Sequence, residues 1–184
     1  MNDDPDELSR LRESWLYRGQ RRPDFATPPG PGQESVWDYP RPPVLQPDTR
    51  RVTIHLGDIC VADTTGAMRL LETAGAPCFY LPPGDVQPDC LQPAGGKSLC
   101  EWKGQARYFD VLAGNAFVPG AAWSYPGARE PFEAIAGWFA FYPADLNCRV
   151  AGERVRPQPG GFYGGWVTRD VVGPFKGESG TLGW

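Results

Sequence analysis

Short apolar runs that alternate with polar positions dominate most of the chain, and this period of two is typical of β-strands with one buried face. Val52–Leu56 alternates in this way, and a Gly-Asp pair turns the chain into residues 59–62. The next apolar run, residues 78–81, ends at two prolines. Between these runs, Asp63 and the two threonines after it predict the cap of a brief helical turn that continues to Leu71.

The second half of the chain repeats this order of elements. Residues 109–118 again read as a strand, a glycine-containing turn and a strand, and residues 133–136 match the predicted helical turn. Residues 138–146 align without gaps on residues 78–86, and the offset between the halves is 57 at the glycine turns and 60 at the Pro-x-Asp pairs. This pattern indicates an internal duplication; chance similarity is the alternative.

Two repeats, at about residues 51–86 and 108–146, are therefore predicted to be related by a pseudo-twofold axis. Each repeat exposes an apolar face that can be buried against the other. The predicted fold is mainly β, with two small antiparallel sheets and few short helices. The length of 184 residues fits one such domain, which we place at residues 35–150.

Both ends of the chain differ from this domain. Residues 1–34 predict a flexible arm, in which residues 6–18 form a short amphipathic helix ahead of a Pro/Gly-rich stretch. A disordered tail and a helix that docks on a partner or on its own domain are both compatible with this arm. In residues 151–184, glycine pairs alternate with aromatic residues, which predicts a clasp packed on the same domain because glycine allows close backbone approach.

Composition and charge exclude several classes of protein. The net charge is −4 with no basic stripe, which argues against a nucleic-acid partner. No apolar run reaches the length of a membrane helix, and the N-terminus lacks the apolar core of a secretory signal, so we expect a cytoplasmic protein without a membrane partner. Five widely spaced cysteines, no Cys-x-x-Cys pair and the single histidine His55 argue against a disulfide framework and a zinc site, so no metal or cofactor is expected.

The segment around Trp102 carries the candidate chemistry. Glu101 and Lys103 are two residues apart, so on a strand they would share one face while Trp102 points to the other. A carboxylate and an amine on one face can tune each other's pKa and act as general acid or base, and a desolvated Lys103 could form a Schiff base. The alternative is an ion pair that only joins the two sheets. Cys100 fits a small buried side chain better than a nucleophile.

Aromatic and basic side chains around this segment can complete a ligand site. Tyr108 is a third catalytic candidate beside Glu101 and Lys103. The predicted ligand-binding residues are Trp102, Trp123, Tyr125, Tyr142, Tyr163, Trp166, Arg41 and Arg156. Core packing of the rings and solvent exposure of the arginines are the alternatives. Two of the three lysines occur in a matching setting, Trp-Lys-Gly at residues 102–104 and Phe-Lys-Gly at residues 175–177.

Three motifs resemble the family known as domain of unknown function 427. They are Cys-Glu-Trp-Lys-Gly at residues 100–104, Ala-Trp-Ser-Tyr-Pro at 122–126 and Ala-Phe-Tyr-Pro at 140–143. The resemblance covers about residues 35–150, and the C-terminal extension is similar to that of longer bacterial members. It implies a β-tent-like fold, in which two small antiparallel sheets meet at an angle. The family has also carried a nucleotidyltransferase label, but the chain has neither an Asp-x-Asp pair after a Gly-Ser turn nor a phosphate-binding glycine motif.

These patterns predict a protein that binds a small organic molecule in a cleft between the two half-sheets. If it is an enzyme, cofactor-free acid/base chemistry of the isomerase, hydrolase or cyclase type is expected. A non-catalytic protein-interaction or regulatory module is the alternative, and a nucleotidyltransferase is less favoured. A homodimer is left open.

Overall fold

The computed structural model describes residues 4–184, so residues 1–3 of the predicted arm lie outside it. In this range one α-helix is followed by fifteen strands. The elements are α1 Pro5–Glu13, β1 Glu34–Ser35, β2 Val44–Asp48, β3 Val52–Leu56, β4 Ile59–Thr64, β5 Ala67–Leu71, β6 Cys78–Tyr80, β7 Leu91–Cys100, β8 Gly104–Ala113, β9 Ala116–Ser124, β10 Phe139–Phe141, β11 Asn147–Val150, β12 Glu153–Arg154, β13 Arg156–Pro157, β14 Trp166–Val167 and β15 Val171–Val172. Single 3-10 turns occupy Pro83–Asp85, Pro88–Cys90 and Glu133–Ile135.

Antiparallel sheets form the body of the protein. One four-stranded sheet has the order β10-β9-β8-β7, a second has the order β12-β11-β3-β4, and a three-stranded sheet has the order β2-β5-β6. Leu81 and Phe139 exchange backbone hydrogen bonds of 2.8 and 3.0 Å, which joins the end of β6 to β10. The prediction of a mainly β protein with small antiparallel sheets is confirmed, whereas the pseudo-twofold repeat stays a prediction.

The main core lies between the sheets, as the alternating apolar faces require. Val52 and Ile54 on β3 are fully buried, and they share this core with Phe79 of β6 and Trp166 of the clasp. The rings of Phe79 and Trp166 stack with 5.0 Å between centroids. The indole N–H of Trp166 donates to the carbonyl oxygen of Phe141 at 2.9 Å, so this large ring is buried with its polar atom satisfied.

The helical turn predicted after Asp63 is wrong. The hydroxyl of Thr64 accepts the N–H of Gly66 at 2.9 Å, and this local bond ends β4 without starting a helix. The following residues, Ala67–Leu71, form β5, which is hydrogen-bonded on both sides by β2 and β6. Pairing on two edges satisfies more backbone groups than a single helical turn could. The matching turn in the second half, Glu133–Ile135, is helical as predicted.

The described part of the arm and the clasp pack against this body. The helix α1 begins at Pro5 with a hydrogen bond from Asp6 N–H to the Asp4 carboxylate, and it ends at Glu13, five residues earlier than predicted. Farther along, a parallel pairing of β1 with β15 ties the end of the arm to the clasp. Among the described residues, no helix combines the length and the apolar character that a membrane span requires.

Candidate functional site

A cavity of about 330 Å³ lies where the arm, the β7–β8 hairpin, β9 and the clasp meet. The arm contributes Trp15, and β5 and the loop after it contribute Leu70 and Glu72. The remaining walls come from β6, from the hairpin, from the ends of β9 and β10 and from the clasp. The lining residues from these parts include Cys78, Tyr80, Ser98, Cys100, Glu101, Lys103, Tyr108, Trp123, Tyr125, Tyr142, Gln158, Phe162, Tyr163, Gly164 and Lys176. The cavity therefore depends on segments that are far apart in sequence.

Residues 101–103 form the tight turn between β7 and β8, so their prediction as strand residues is wrong. Gly104 follows the turn with φ +94°, a backbone conformation that glycine adopts without strain. Glu101 and Lys103 nevertheless both line the cavity. Trp102 points elsewhere and lies beneath the guanidinium of Arg12, 5.1 Å from its ring centroid. The turn thus brings together the same two side chains that a strand face would have.

Lys103 is a buried ammonium, with only 5 % of the residue exposed. Its Nζ donates to Cys100 Sγ at 3.2 Å and lies 5.2 Å from the ring centroid of Tyr125. Burial by itself lowers the pKa of Lys103, but the neighbouring Cys100, Tyr125 and Glu72 raise it by more, so the net shift of the pKa is upward. A raised pKa makes Lys103 a fixed positive charge rather than a nucleophilic amine or a ready proton donor.

A second cluster of charged side chains surrounds the carboxylate of Glu72. Arg41 Nε and Lys176 Nζ approach Glu72 Oε1 at 3.1 and 3.4 Å, and both cationic side chains are almost fully buried. Burial raises the pKa of Glu72, but Lys176, Arg41 and Lys103 lower it more, so the carboxylate stays ionised. Burial lowers the pKa of Lys176, and Glu72 compensates only in part. Glu72 therefore holds two buried cations beside the cavity.

Trp15 joins this charged group to the hairpin. Its ring centroid lies 4.1 Å from the Arg41 guanidinium carbon and 4.4 Å from Lys176 Nζ, which are cation–π distances. Its indole N–H donates to Glu101 Oε1 at 2.9 Å. Arg12 adds two hydrogen bonds to the carbonyl oxygen of Glu101. The N-terminal arm is thus a wall of the cavity.

Replacing Trp15 by alanine is expected to destabilise the protein by about 2 kcal/mol, because two buried cations lose their aromatic partner. The neighbouring variant Leu16→Ala is the control, since Leu16 is 73 % exposed and should change stability little. Urea unfolding of both variants measures the difference. Equal midpoints for Trp15→Ala and the wild type would show that the contacts of Trp15 with Arg41 and Lys176 do not stabilise the protein.

The aromatic walls supply neutral hydroxyl groups. Tyr108 Oη and Ser98 Oγ are 2.7 Å apart, and the rings of Trp123 and Tyr142 are tilted with centroids 4.5 Å apart. Burial raises the pKa of Tyr163 to about 12, and it also raises the pKa values of Tyr125 and Tyr142. These phenols therefore remain protonated at neutral pH and can donate hydrogen bonds to a ligand.

The clasp reaches the cavity because its glycines allow close approach. A Cβ on Gly164 would lie 2.0 Å from the ring of Trp123, so the backbone passes directly over that indole. This contact positions Tyr163 with its ring centroid 4.5 Å from Lys176 Nζ. The predicted clasp thus forms one side of the cavity.

Seven of the eleven residues predicted for the site line the cavity: Glu101, Lys103, Tyr108, Trp123, Tyr125, Tyr142 and Tyr163. The other four lie elsewhere. Trp102 and Trp166 are packing residues, as described above, and Arg156 is exposed on β13. Arg41 supports the wall from behind, where its guanidinium donates to Glu72 and to the carbonyl oxygens of Tyr17, Thr73 and Trp184.

Trp15, Glu72 and Lys176 are cavity residues that the sequence analysis did not select. Two of them left a signal in the sequence. Trp15 belongs to the apolar stripe of the predicted helix, and Lys176 belongs to the Phe-Lys-Gly setting that matches the one around Lys103. Glu72 follows a strand and left no signal of this kind.

The central part of the chain matches a known family. The profile of the family NTP_transf_9, described as Domain of unknown function (DUF427), matches residues 44–155. The chain belongs to this family. The resemblance carried by the three motifs is thereby confirmed, and no curated protein matches the chain. Within the DUF427 match lie Glu72, Glu101 and Lys103, whereas Trp15, Tyr163 and Lys176 lie outside it. The arm and the clasp therefore complete a cavity that the matched segment forms only in part.

Proposed function

We propose that this protein binds a small organic molecule in the cavity and acts on it by cofactor-free acid/base chemistry. The observation that carries the proposal is the presence of a buried ammonium, a partly buried ion-paired carboxylate and several neutral phenols around one space of about 330 Å³. Ligand sites commonly combine apolar, aromatic walls with a few charged groups that point inward. Charged groups are rarely buried around a cavity for stability alone, since desolvation opposes it.

The chemistry follows from the two ionisable side chains of the hairpin turn. Lys103 can stabilise a developing negative charge, because its raised pKa keeps the ammonium charged. Glu101 is half-buried at the cavity wall and can accept a proton, while its Oε1 is held by the Trp15 indole. Tyr108 can donate through its hydroxyl. Proton transfer between a donor and an acceptor across a bound substrate is the pattern of an isomerase, a cyclase or a hydrolase.

A non-catalytic protein-interaction module is the second candidate. It is supported by three large apolar side chains that are mostly exposed, Leu16 at 73 %, Phe162 at 69 % and Leu182 at 61 %. Nucleotidyl transfer has the least support. Over residues 4–184 no group of three or more His, Cys, Asp or Glu side chains is arranged to hold a metal ion, and this chemistry needs converging carboxylates for Mg²⁺.

Lys103→Met is expected to lose a co-purifying small molecule that the wild type retains. Methionine keeps the length and packing of the side chain but removes the charge that binds the ligand. Native mass spectrometry of freshly purified protein detects the ligand as a mass adduct. The matched control is Lys97→Met, which removes an exposed lysine from β7 of the same hairpin and should keep the adduct.

The result that contradicts the proposal is also specific. If the wild type carries no adduct, and if no compound of a diverse metabolite library raises its melting temperature, the cavity is not a ligand site. An adduct that survives Lys103→Met would show that the charge of Lys103 does not hold the ligand. If Lys103→Met does not fold, Lys103→Gln takes its place, because glutamine keeps a hydrogen-bond donor without the charge.

A further inference from the structure

The cavity wall and the Arg41 side chain directly behind it carry more buried positive charge than negative charge. Arg41, Lys103 and Lys176 are 4 %, 5 % and 2 % exposed. The nearby carboxylates belong to Glu72 and Glu101, so the two cations of the lining and Arg41 behind it are matched by only two anions. Glu72 is already bound by Arg41 and Lys176. Because a buried charge without a counter-ion is unfavourable, this site is electrostatically incomplete as it stands.

Lys103 is the cation that lacks a carboxylate partner. In the described part of the chain, its one hydrogen bond goes to the thiol of Cys100, which is a weak acceptor. An ammonium has three N–H donors, so donors remain for a molecule in the cavity that Lys103 lines. The carboxylate of the neighbouring Glu101 binds the Trp15 indole through Oε1. The position that an anion would complete is therefore next to Lys103 Nζ.

We infer that the ligand is a small ring-bearing organic acid whose carboxylate binds Lys103 Nζ and whose ring packs against Trp123 and Tyr125. The inference rests on the proposed function and names the chemical class of its ligand. A carboxylate forms a charge-assisted hydrogen bond to an ammonium and supplies the missing negative charge. Trp123 and Tyr125 both line the cavity, where they offer the aromatic surface that a planar ring contacts favourably.

Charge and size favour a small organic acid over an organic amine, a phosphate ester or a nucleotide. An organic amine would place a second positive charge beside Lys103, which is repulsive at short range. A phosphate ester carries about two negative charges and usually binds several donors at once, often backbone N–H groups of a helix N-terminus. The cavity of about 330 Å³ lies at the small end of ligand pockets, so one ring with an acid group fits better than a nucleotide.

Three fluorinated probes with the same ring test the inference: 4-fluorobenzoate, 4-fluorobenzamide and 4-fluorobenzylamine. Fluorine NMR of each probe, titrated with the full-length protein, gives the affinity from line broadening and shift. We expect the carboxylate to bind about tenfold or more tightly than the neutral amide, as a charge-assisted hydrogen bond in a buried site implies. The amine should bind most weakly.

Variants then assign the preference to one residue. Lys103→Met should reduce the affinity for 4-fluorobenzoate by about tenfold or more and leave that for 4-fluorobenzamide nearly unchanged. Lys97→Met should keep the wild-type values for all three probes, because Lys97 is exposed. If Lys103→Met does not fold, Lys103→Gln replaces it. Phenyl phosphate, measured by displacement of 4-fluorobenzoate, distinguishes a carboxylate site from a phosphate site.

Failure of the inference and failure of the proposed function look different. The inference is overturned if the amide or the amine binds as tightly as the carboxylate, if phenyl phosphate binds more tightly, or if Lys103→Met keeps the affinity for the carboxylate. A neutral or cationic adduct found by native mass spectrometry would also overturn it, while the proposed function would stand. If no probe binds and no adduct is found, the proposed function falls and the inference falls with it.

Discussion

Replacing Glu72 by glutamine is expected to destabilise the protein by about 3–5 kcal/mol, which is a large share of the stability of an ordinary domain. The change keeps the shape of the side chain and removes only its charge. Arg41 and Lys176 would then remain buried beside each other without a counter-ion, and Lys103 would lose the attraction of the same carboxylate. The free energy of unfolding in urea measures the loss.

The matched control removes a carboxylate from an exposed ion pair. Asp63 binds Arg51 on the surface, where solvent screens the attraction, so Asp63→Asn should change the free energy of unfolding little. Similar losses in Glu72→Gln and Asp63→Asn would contradict the idea that Glu72 neutralises a buried charge cluster. Full occupancy of the ligand site must be excluded first, since a bound acid would compensate part of the loss.

The dependence of stability on pH in the acid range is an independent test of the role of Glu72. The pKa of Glu72 is lower in the folded protein than its ordinary value, chiefly because Lys176 and Arg41 outweigh the effect of burial. A group of this kind stabilises the folded state above its unfolded-state pKa, and that contribution is lost as the pH falls through its folded-state pKa. Stability measured against pH should therefore fall less steeply in Glu72→Gln than in the wild type over the acid range.

Two hairpins of the fold, β3–β4 and β8–β9, could be predicted because their signals are local. A glycine-containing turn between two alternating runs fixes both strands, and β3–β4 and β8–β9 appear where this pattern occurs. The segment after Asp63 carried a local signal too, but it was misleading. A threonine that caps a turn has the same sequence appearance whether a helix or a strand follows, and only the partner strands β2 and β6 decide between them.

The site could be predicted as far as it is encoded in one segment. Glu101 and Lys103 are neighbours in sequence, so both a strand and a turn bring their side chains into one space. Glu72, Trp15 and Lys176 come from other parts of the chain, and their meeting depends on long-range packing that no local pattern encodes. The matching Trp-Lys-Gly and Phe-Lys-Gly settings were the available clue, since both lysines line the same cavity.

Replacing Gly160 by alanine is expected to cost about 3 kcal/mol more than replacing its neighbour Gly161 by alanine. Both glycines have positive φ, +83° and +70°, so alanine meets a similar backbone strain at each position. A Cβ on Gly160 would lie 1.9 Å from the carbonyl oxygen of Gly177, whereas a Cβ on Gly161 meets no atom within 4 Å. The difference between the two variants therefore isolates the close contact between two backbone segments.

This contact is expected to matter for ligand binding as well, because Gly177 follows Lys176 directly. Separation of the two segments in Gly160→Ala would move Lys176 away from Glu72 and from the cavity. Urea unfolding measures the stability difference, and fluorine NMR with 4-fluorobenzoate measures the affinity. If both variants lose the same stability, the approach of residues 160 and 177 does not hold the clasp. If Gly160→Ala is less stable but binds 4-fluorobenzoate as the wild type does, Lys176 contributes only to the stability of the cavity wall.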